Sequence, residues 1–271
     1  MWRQTLVKLN EQDIETYKYL FDLQGYIVVE NVLNTKEIST IQDILDKRLP
    51  SSHGLEFADG EFGFSGASNS KEPGLLEYGE PIRNLIDHPT ILSVLRPILG
   101  DGFRIDHMYG IQMIKGTKSL ELHGGAMNAS VSEQYHVQNQ KISSGLTVVS
   151  WNLVDTGPDQ GGFLCIPGSH KQNFTTPKTI FSMHDKADCV LVPKVKPGSA
   201  IIFTEALAHG TASWKLDSPR RSILFKYTPA HMAYTRNYSQ IPENADLTQR
   251  QKNLFNLPSH STSFGRPSLF E

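Results

Sequence analysis

Apolar residues recur every three or four positions in the first part of the chain. The segment "NEQDIETYKYLFDLQG" shows this spacing from Ile14 to Phe21 and stops at Gly25, which predicts an amphipathic helix. A short β-branched run, "YIVVENV", predicts a strand after it. The segment "NTKEISTIQDILDKRL" predicts a second helix, because Asn34 is a favourable N-cap and Glu37 stands three residues later.

Two further stretches complete the first hundred residues. Residues 51–80 are rich in Gly, Ser and Glu, and such irregular stretches often form lids or binding loops. Within them, "GASNSKEPGLLEYGEP" is the segment that we expect to contact substrate. The following segment, "PIRNLIDHPTILSVLRPILG", predicts a helical region that Pro89 and Pro97 interrupt.

After Gly102 the pattern changes to short β-rich segments separated by turn residues. These segments are "FRIDHMYGIQMI", "KSLELH", "GLTVVSWNLVD", "GFLCIPGS", "DCVLVPKV", "SAIIFTEALAHG" and "RRSILFKYTP". They predict an antiparallel sandwich or barrel, so the fold class is mainly β, with a jelly-roll core and N-terminal helices. We expect one domain over 1–271, with helical support and a substrate loop in 1–100, the core in 101–235 and a tail in 236–271. The tail contains one possible helix, "ADLTQRQKNLF".

Composition narrows the class of partner. The 271 residues carry a formal net charge of −2, and charged residues make up 20%, so neither nucleic acid nor an anionic membrane surface is an expected partner. No apolar run approaches the roughly 18 residues that cross a membrane, and the first residues lack the apolar core of a signal peptide. Cys165 and Cys189 form no metal or disulfide pattern. We therefore expect a cytoplasmic protein with a small-molecule partner, and the oligomeric state stays open.

Two histidines stand at the ends of predicted strands. His123 ends "KSLELH", His209 ends "IIFTEALAHG", and each is followed by glycine. Most histidines are surface or hydrogen-bonded structural residues. Strand ends of one barrel can nevertheless converge at its mouth, where such folds bind small molecules. His123 and His209 are thus candidate metal ligands.

A third candidate is Arg221, which opens the strand "RSILFKY". Its planar guanidinium suits a dicarboxylate, whereas Arg220 and Arg221 could equally be an exposed pair after the "DSP" turn. Gln112 and Asn152 could hydrogen-bond a 2-oxoacid carboxylate from inside the barrel, or they could face outward. Together with the histidines, these residues indicate iron and 2-oxoglutarate.

The chain resembles the phytanoyl-CoA dioxygenase family of non-haem Fe(II)/2-oxoglutarate oxygenases. The most specific similar segments are "DQGGFLCIPGSHKQNF" and "PGSAIIFTEALAHG" followed by "RRSILF". The resemblance implies a double-stranded β-helix fold. It also implies that the His of an H-x-D/E motif and a distal His hold the metal, and that an Arg after the distal His binds the C5 carboxylate of 2-oxoglutarate. By position these are His123, His209 and Arg221, with Arg220 a less favoured occupant of the last role.

Gly125 departs from that pattern, because the family has Asp or Glu there. One explanation is a halide ligand, since H-x-G resembles the motif of the radical halogenases of this superfamily. A second is another carboxylate or a water, and the candidate carboxylates are Glu121, Glu133, Asp155 and Glu205. On a regular strand Glu205 would lie about 13 Å from His209, too far to share a metal. A third explanation is a binding protein without a metal.

The sequence thus predicts an oxidoreductase that uses Fe(II), 2-oxoglutarate and O2 on an unactivated C–H bond of a small molecule. The catalytic positions would be His123, Gly125 and His209, with hydroxylation or chlorination as the outcome and chloride as a possible ligand. A non-catalytic cupin-like binding protein is the alternative from another class. A metal-dependent isomerase that needs no 2-oxoglutarate is a further one.

Overall fold

The computed structural model describes residues 9–49, 64–65, 74–117, 119–235, 241–259 and 266–270. Its α-helices are α1 (Glu11–Gln24), α2 (Thr35–Arg48), α3 (Glu80–Arg83), α4 (Pro89–Leu99), α5 (Lys178–Met183) and α6 (Gln249–Leu254). Its strands are β1 (Tyr26–Val29), β2 (Phe64–Ser65), β3 (Arg104–Met113), β4 (Tyr135–Gln138), β5 (Lys141–Ser144), β6 (Thr147–Asn152), β7 (Gly162–Cys165), β8 (Ala200–Thr204), β9 (His209–Ala212) and β10 (Arg220–Thr228).

The first two helices begin and end where the sequence predicts. Asn10 caps α1 and Asn34 caps α2, each within a reciprocal capping box. Gly25 ends α1 with a φ of 81°, a left-handed conformation that favours glycine. The predicted tail helix is also present, as α6.

The two prolines of the third helical region behave differently. Pro89 is the first residue of α4, where its missing N–H costs nothing, so the predicted interruption there is confirmed. The predicted interruption at Pro97 is wrong, because α4 continues through it to Leu99. Leu95 and Ile98 on either side of it are fully buried, and their packing outweighs one lost backbone hydrogen bond.

The core is a two-sheet jelly roll, as predicted. The large sheet has the strand order β1-β8-β6-β10-β3-β2, and its strand pairs are antiparallel. The small sheet pairs β7 with β9, and isolated bridges at His123 and Leu191 extend it. The segments "KSLELH" and "DCVLVPKV" therefore form single bridges rather than the predicted strands. Strand β1 belongs to the sheet, so the N-terminal part supplies more than helical support.

The two faces of the large sheet have different neighbours. Trp151, Ile223 and Phe225 belong to the apolar cluster that includes the buried residues of α2 and α4. Leu224 and Phe203 belong to a second cluster with Phe163 of the small sheet. Because side chains alternate along a strand, the odd or even position of a residue decides whether it faces the helices or the space between the sheets.

Much of the expected substrate loop, residues 66–73, lies outside the described residues. In the part of the chain that is described, none of the helices has the length and apolar character needed to cross a membrane.

Candidate functional site

His123 and His209 lie directly opposite each other across the bridge that joins residue 123 to β9, where His209 is buried and His123 is exposed. The backbone N–H of His123 donates to the His209 carbonyl at 2.9 Å, and the His209 N–H donates back at 2.8 Å. Residues paired in this way project their side chains to the same side. The imidazole centroids are accordingly 4.3 Å apart, so the two candidate ligands converge as the sequence predicts.

Each imidazole is held in one tautomer by the backbone carbonyl of the residue two positions before it. Nδ1 of His123 lies 2.9 Å from the Glu121 carbonyl oxygen, and Nδ1 of His209 lies 2.7 Å from the Leu207 carbonyl oxygen. A carbonyl only accepts, so each neutral ring carries its proton on Nδ1 and keeps the Nε2 lone pair for a ligand. Burial and then the neighbouring His123 lower the pKa of His209 to about 4, which keeps it neutral at pH 7.

Glu205 lies beside the two histidines. Strand β8 ends at Thr204, and the chain then turns, with the Leu207 N–H donating to the Thr204 carbonyl at 2.9 Å. This turn brings Glu205 Oε2 to 3.9 Å from His209 Nε2. The separation of about 13 Å expected from a regular strand is therefore wrong.

The three side chains form one cluster of potential metal ligands. One atom from each of His123, Glu205 and His209 lies within 4.8 Å of the others. In the described part of the chain no other group of three histidine, cysteine or acidic side chains meets this spacing. The remaining carboxylates that the sequence nominated, Glu121, Glu133 and Asp155, lie outside the cluster.

Lys226 of β10 is the charged partner of Glu205. Its Nζ lies 2.6 Å from Glu205 Oε1, and both side chains are buried. Burial alone would raise the pKa of Glu205, but the Lys226 charge and then the histidines lower it to about 2. Burial alone would lower the pKa of Lys226, and Glu205 instead raises it. Glu205 is therefore an ionised carboxylate whose second oxygen faces the histidines.

Arg220 is the arginine that reaches the same cavity. The cavity is lined by His123, His209, Arg220, Lys226, Tyr109, Ile111, Leu120, Ser150, Phe163, Phe203, Gly210, Thr211 and Leu224. Arg220 is 2% exposed, and its Nη1 contacts Met113 Sδ at 3.3 Å while its Nε has no hydrogen-bond partner. Burial lowers its pKa to about 10. Among the described carboxylates, none forms an ion pair with it.

Arg221 faces the opposite side of β10, which contradicts its predicted place. Its Nε donates to Gln112 Oε1 at 2.6 Å, and its Nη1 bonds Asp46 of α2. Gln112 is the cross-strand neighbour of Arg221, so both predicted cofactor residues face the helices. One step along a strand exchanges the two faces, and the assignment of Arg221 instead of Arg220 was off by this one step.

Asn152 also lies away from the cavity. Its amide donates to the backbone carbonyls of Val154 at 2.6 Å and Val195 at 3.3 Å, so it holds the end of β6. It is absent from the cavity lining among the described residues. The functional reading of Asn152 is therefore not supported by its position.

Gly125 has a backbone conformation that disfavours a side chain. Its φ is 92°, and a Cβ placed on it would lie 2.6 Å from Gln172 Nε2. An acidic residue would thus need both a strained backbone and a displaced Gln172. The glycine of H-x-G is thus explained by its own backbone conformation and by its contact with Gln172, independently of which ligands bind at the site.

Sequence reasoning named Glu205 and Arg220 only as less favoured candidates, and it did not consider Lys226. Lys226 carries a signal of its own, since a lysine inside the apolar strand "RSILFKY" needs a buried partner. Lys226 lies six residues from Arg220 on β10, so the two side chains lie on the same face of that strand. Glu205 lies beyond the end of β8, and the turn there places it beside Lys226.

Comparison with known proteins agrees with this architecture. The family model of phytanoyl-CoA dioxygenase (PhyH) matches residues 21–222. Dioxygenase cdmD of Talaromyces verruculosus is 26% identical over 92 residues, which are 34% of this chain and 29% of that protein. Ectoine dioxygenase of Sphingopyxis alaskensis is 24% identical over 229 residues, 76% of this chain and 73% of that protein. The chain thus spans less than a third of cdmD and about three quarters of the ectoine enzyme.

Solved structures share the fold. HygX of Streptomyces hygroscopicus, solved with iron bound, superposes with a TM-score of 0.67 at 19% identity and covers 84% of this chain and 90% of its own. At such identity the likeness shows the fold alone. The family match extends over most of the chain, from the end of α1 into β10, and this protein belongs to the phytanoyl-CoA dioxygenase (PhyH) family.

Proposed function

We propose that this protein is a non-haem Fe(II)/2-oxoglutarate-dependent oxygenase that oxidises an unactivated C–H bond of a small molecule. The proposal rests on one cavity. It is lined by His123 and His209, whose Nε2 lone pairs are available, and by the buried guanidinium of Arg220, which has no ion-pair partner among the described residues. The family supports it, and so do its relatives, which are named dioxygenases. HygX has been solved with nickel, 2-oxoglutarate and hygromycin B, which is consistent with a small-molecule substrate here.

The donor set fits a ferrous ion. Two neutral imidazoles with a neighbouring carboxylate are the ligand types that non-haem iron oxygenases use. His123 and His209 would hold the iron through Nε2, because their Nδ1 atoms are committed to backbone carbonyls. Those carbonyl contacts also fix the ring orientations before any ion arrives.

Arg220 fits one end of a dicarboxylate. A buried cation without a counterion is costly, and an incoming carboxylate would remove that cost. The guanidinium binds carboxylates in a planar, two-bonded arrangement that specifies them over neutral groups. Arg220 would therefore bind the carboxylate of 2-oxoglutarate that lies away from the metal.

The remaining lining residues define the environment of the reaction. When bound, Fe(II) and 2-oxoglutarate supply the activation of O2. Phe163, Phe203 and Leu224 line the cavity with apolar surface, which keeps water out and strengthens the charge interactions of Arg220. In the overall reaction the substrate, 2-oxoglutarate and O2 give oxidised substrate, succinate and CO2.

Anaerobic addition of Fe(II) and then 2-oxoglutarate tests the proposal. We expect a visible charge-transfer absorption and, after O2 is admitted, formation of succinate. His209→Ala should lose both, whereas His136→Ala, an exposed histidine of the β4–β5 hairpin, should keep both. A wild-type protein that binds metal but forms no succinate with O2 would instead be a cupin-like binding protein.

A further inference from the structure

We propose that Glu205 supplies the anionic third metal ligand from the β8–β9 turn, in place of residue 125 of the H-x-G motif. This inference rests on the proposed iron centre and adds a ligand that the motif does not contain. It also decides between two outcomes that H-x-G leaves open, transfer of a halide and insertion of oxygen.

The backbone conformation at the usual position of the carboxylate disfavours a side chain in this protein. Gly125 has a positive φ of 92°, and Gln172 Nε2 occupies the space that its side chain would need. A carboxylate at 125 would thus require changes in both the backbone and Gln172. The donor must come from another element if the centre is to have one.

Glu205 meets the requirements from the other side of the histidine pair. Its Oε2 lies 3.9 Å from His209 Nε2, and its ligand atom is within 4.8 Å of that of His123. Metal–oxygen and metal–nitrogen bonds are about 2.1 Å long, so two ligand atoms on one ion are separated by at most about twice that distance. The observed separations, 3.9 Å between Glu205 and His209 and within 4.8 Å for the whole set, are thus within about 1 Å of what one ion requires.

Lys226 determines which oxygen of Glu205 is available. Its Nζ holds Oε1 at 2.6 Å, and that leaves Oε2 as the oxygen nearest the histidines. Both residues are buried, so the carboxylate does not rotate freely into solvent. The arrangement presents one oxygen to a cation and reserves the other for the lysine.

The donor set is then two imidazoles and one carboxylate, supplied from two separate β elements and the turn between β8 and β9. This set gives the ion the same ligands and the same negative charge as the common triad of two histidines and one carboxylate. No halide is therefore needed to complete the ligand set. The outcome is then oxidation of the substrate without halide transfer. In hydroxylation, the O–O bond breaks; one oxygen atom enters the new carboxylate of succinate as the C1–C2 bond of 2-oxoglutarate breaks and releases CO2. The other oxygen atom enters the substrate C–H bond to give C–O–H, so O2 takes two electrons from each organic partner.

Metal affinity measured without turnover tests the ligand. Mn(II) binding is followed by electron paramagnetic resonance in wild type, Glu205→Gln and Asp155→Asn, the last being an exposed carboxylate paired with Lys196. Because even a residue that only orients a ligand changes metal affinity by roughly 10- to 100-fold, Glu205→Gln should weaken Mn(II) at least that much. Asp155→Asn should stay within about twofold of wild type.

A second comparison covers the case in which Glu205→Gln fails to fold because Lys226 is left buried and unpaired. The double variant Glu205→Gln with Lys226→Met removes both charges and keeps the side-chain volumes similar. It should bind Mn(II) at least 10-fold more weakly than Lys226→Met alone, which retains the carboxylate. Equal affinities in these two variants would overturn the inference.

Halide sensitivity gives an independent result. The Fe(II)–2-oxoglutarate absorption of wild type should not change with chloride or bromide, whereas Glu205→Ala should respond to them and to formate. A wild-type spectrum that shifts with halide would refute the role of Glu205 while leaving the iron centre in place. If both His209→Ala and Glu205→Gln still bind Mn(II) as wild type does, the iron centre itself is refuted.

Discussion

Replacing Arg220 by Met should weaken 2-oxoglutarate binding and at the same time leave the free protein as stable as before, or more so. Arg220 is buried without an ion-pair partner in the described residues, and burial lowers its pKa from 12.5 to about 10. That shift corresponds to a penalty of about 3 kcal/mol on the charged form. Methionine removes the penalty and fills a similar volume.

The Arg220→Met variant should bind 2-oxoglutarate more weakly because a carboxylate of the ligand would then be buried without its cation. Removing one member of a buried, hydrogen-bonded charge pair costs about 2–5 kcal/mol, so the Kd for 2-oxoglutarate should rise roughly 30-fold to several thousandfold. Arg221→Met is the matched control, because Arg221 pairs with Asp46 and Gln112 on the other face of β10. It should change the Kd by less than about threefold.

The assay is isothermal titration of 2-oxoglutarate into Mn(II)-loaded protein, accompanied by thermal unfolding with and without 2-oxoglutarate. Wild type and Arg221→Met should be stabilised by the ligand, and Arg220→Met should not. The reasoning is refuted if Arg221→Met weakens 2-oxoglutarate more than Arg220→Met does, or if Arg220→Met binds it as tightly as wild type.

Three further predictions concern stability. His170 donates from Nε2 to the Asp22 carbonyl, its Nδ1 is buried without a partner, and burial lowers its pKa from 6.5 to about 4. The unfolded chain therefore takes up this proton first, and the contribution of neutral His170, about 3 kcal/mol, should be lost as pH falls from 6.5 towards 4. Chemical denaturation across that range should show a smaller loss in His170→Gln. Gly125→Ala and Gly125→Asp should each lower the unfolding free energy by about 1–3 kcal/mol, because both strain a positive φ. Neither should tighten Mn(II), and a tighter Gly125→Asp would contradict the packing argument. Asp106 is fully buried and forms an ion pair with the buried Arg104 at 3.2 Å, so Asp106→Asn should lower the unfolding free energy by about 3–5 kcal/mol, measured by urea titration.

Several features of the fold are local enough to be predicted from the sequence. The capping boxes at Asn10 and Asn34 fix the starts of α1 and α2, since the cap residue and its partner are three positions apart. Short apolar runs between turn residues fix the β class of the core. The two strand-end histidines and the missing carboxylate at Gly125 are also properties of the sequence, and the histidines direct attention to the cavity that they line.

Tertiary structure alone decided which arginine lines that cavity and which carboxylate lies beside its histidines. Register decides between Arg220 and Arg221, because the pairing of β10 with β3 and β6 sets which of two adjacent residues faces inward. A turn decides the place of Glu205, because the chain reverses after Thr204 instead of extending to His209. Local spacing carries no information about either, since both depend on hydrogen bonds between segments far apart in the sequence.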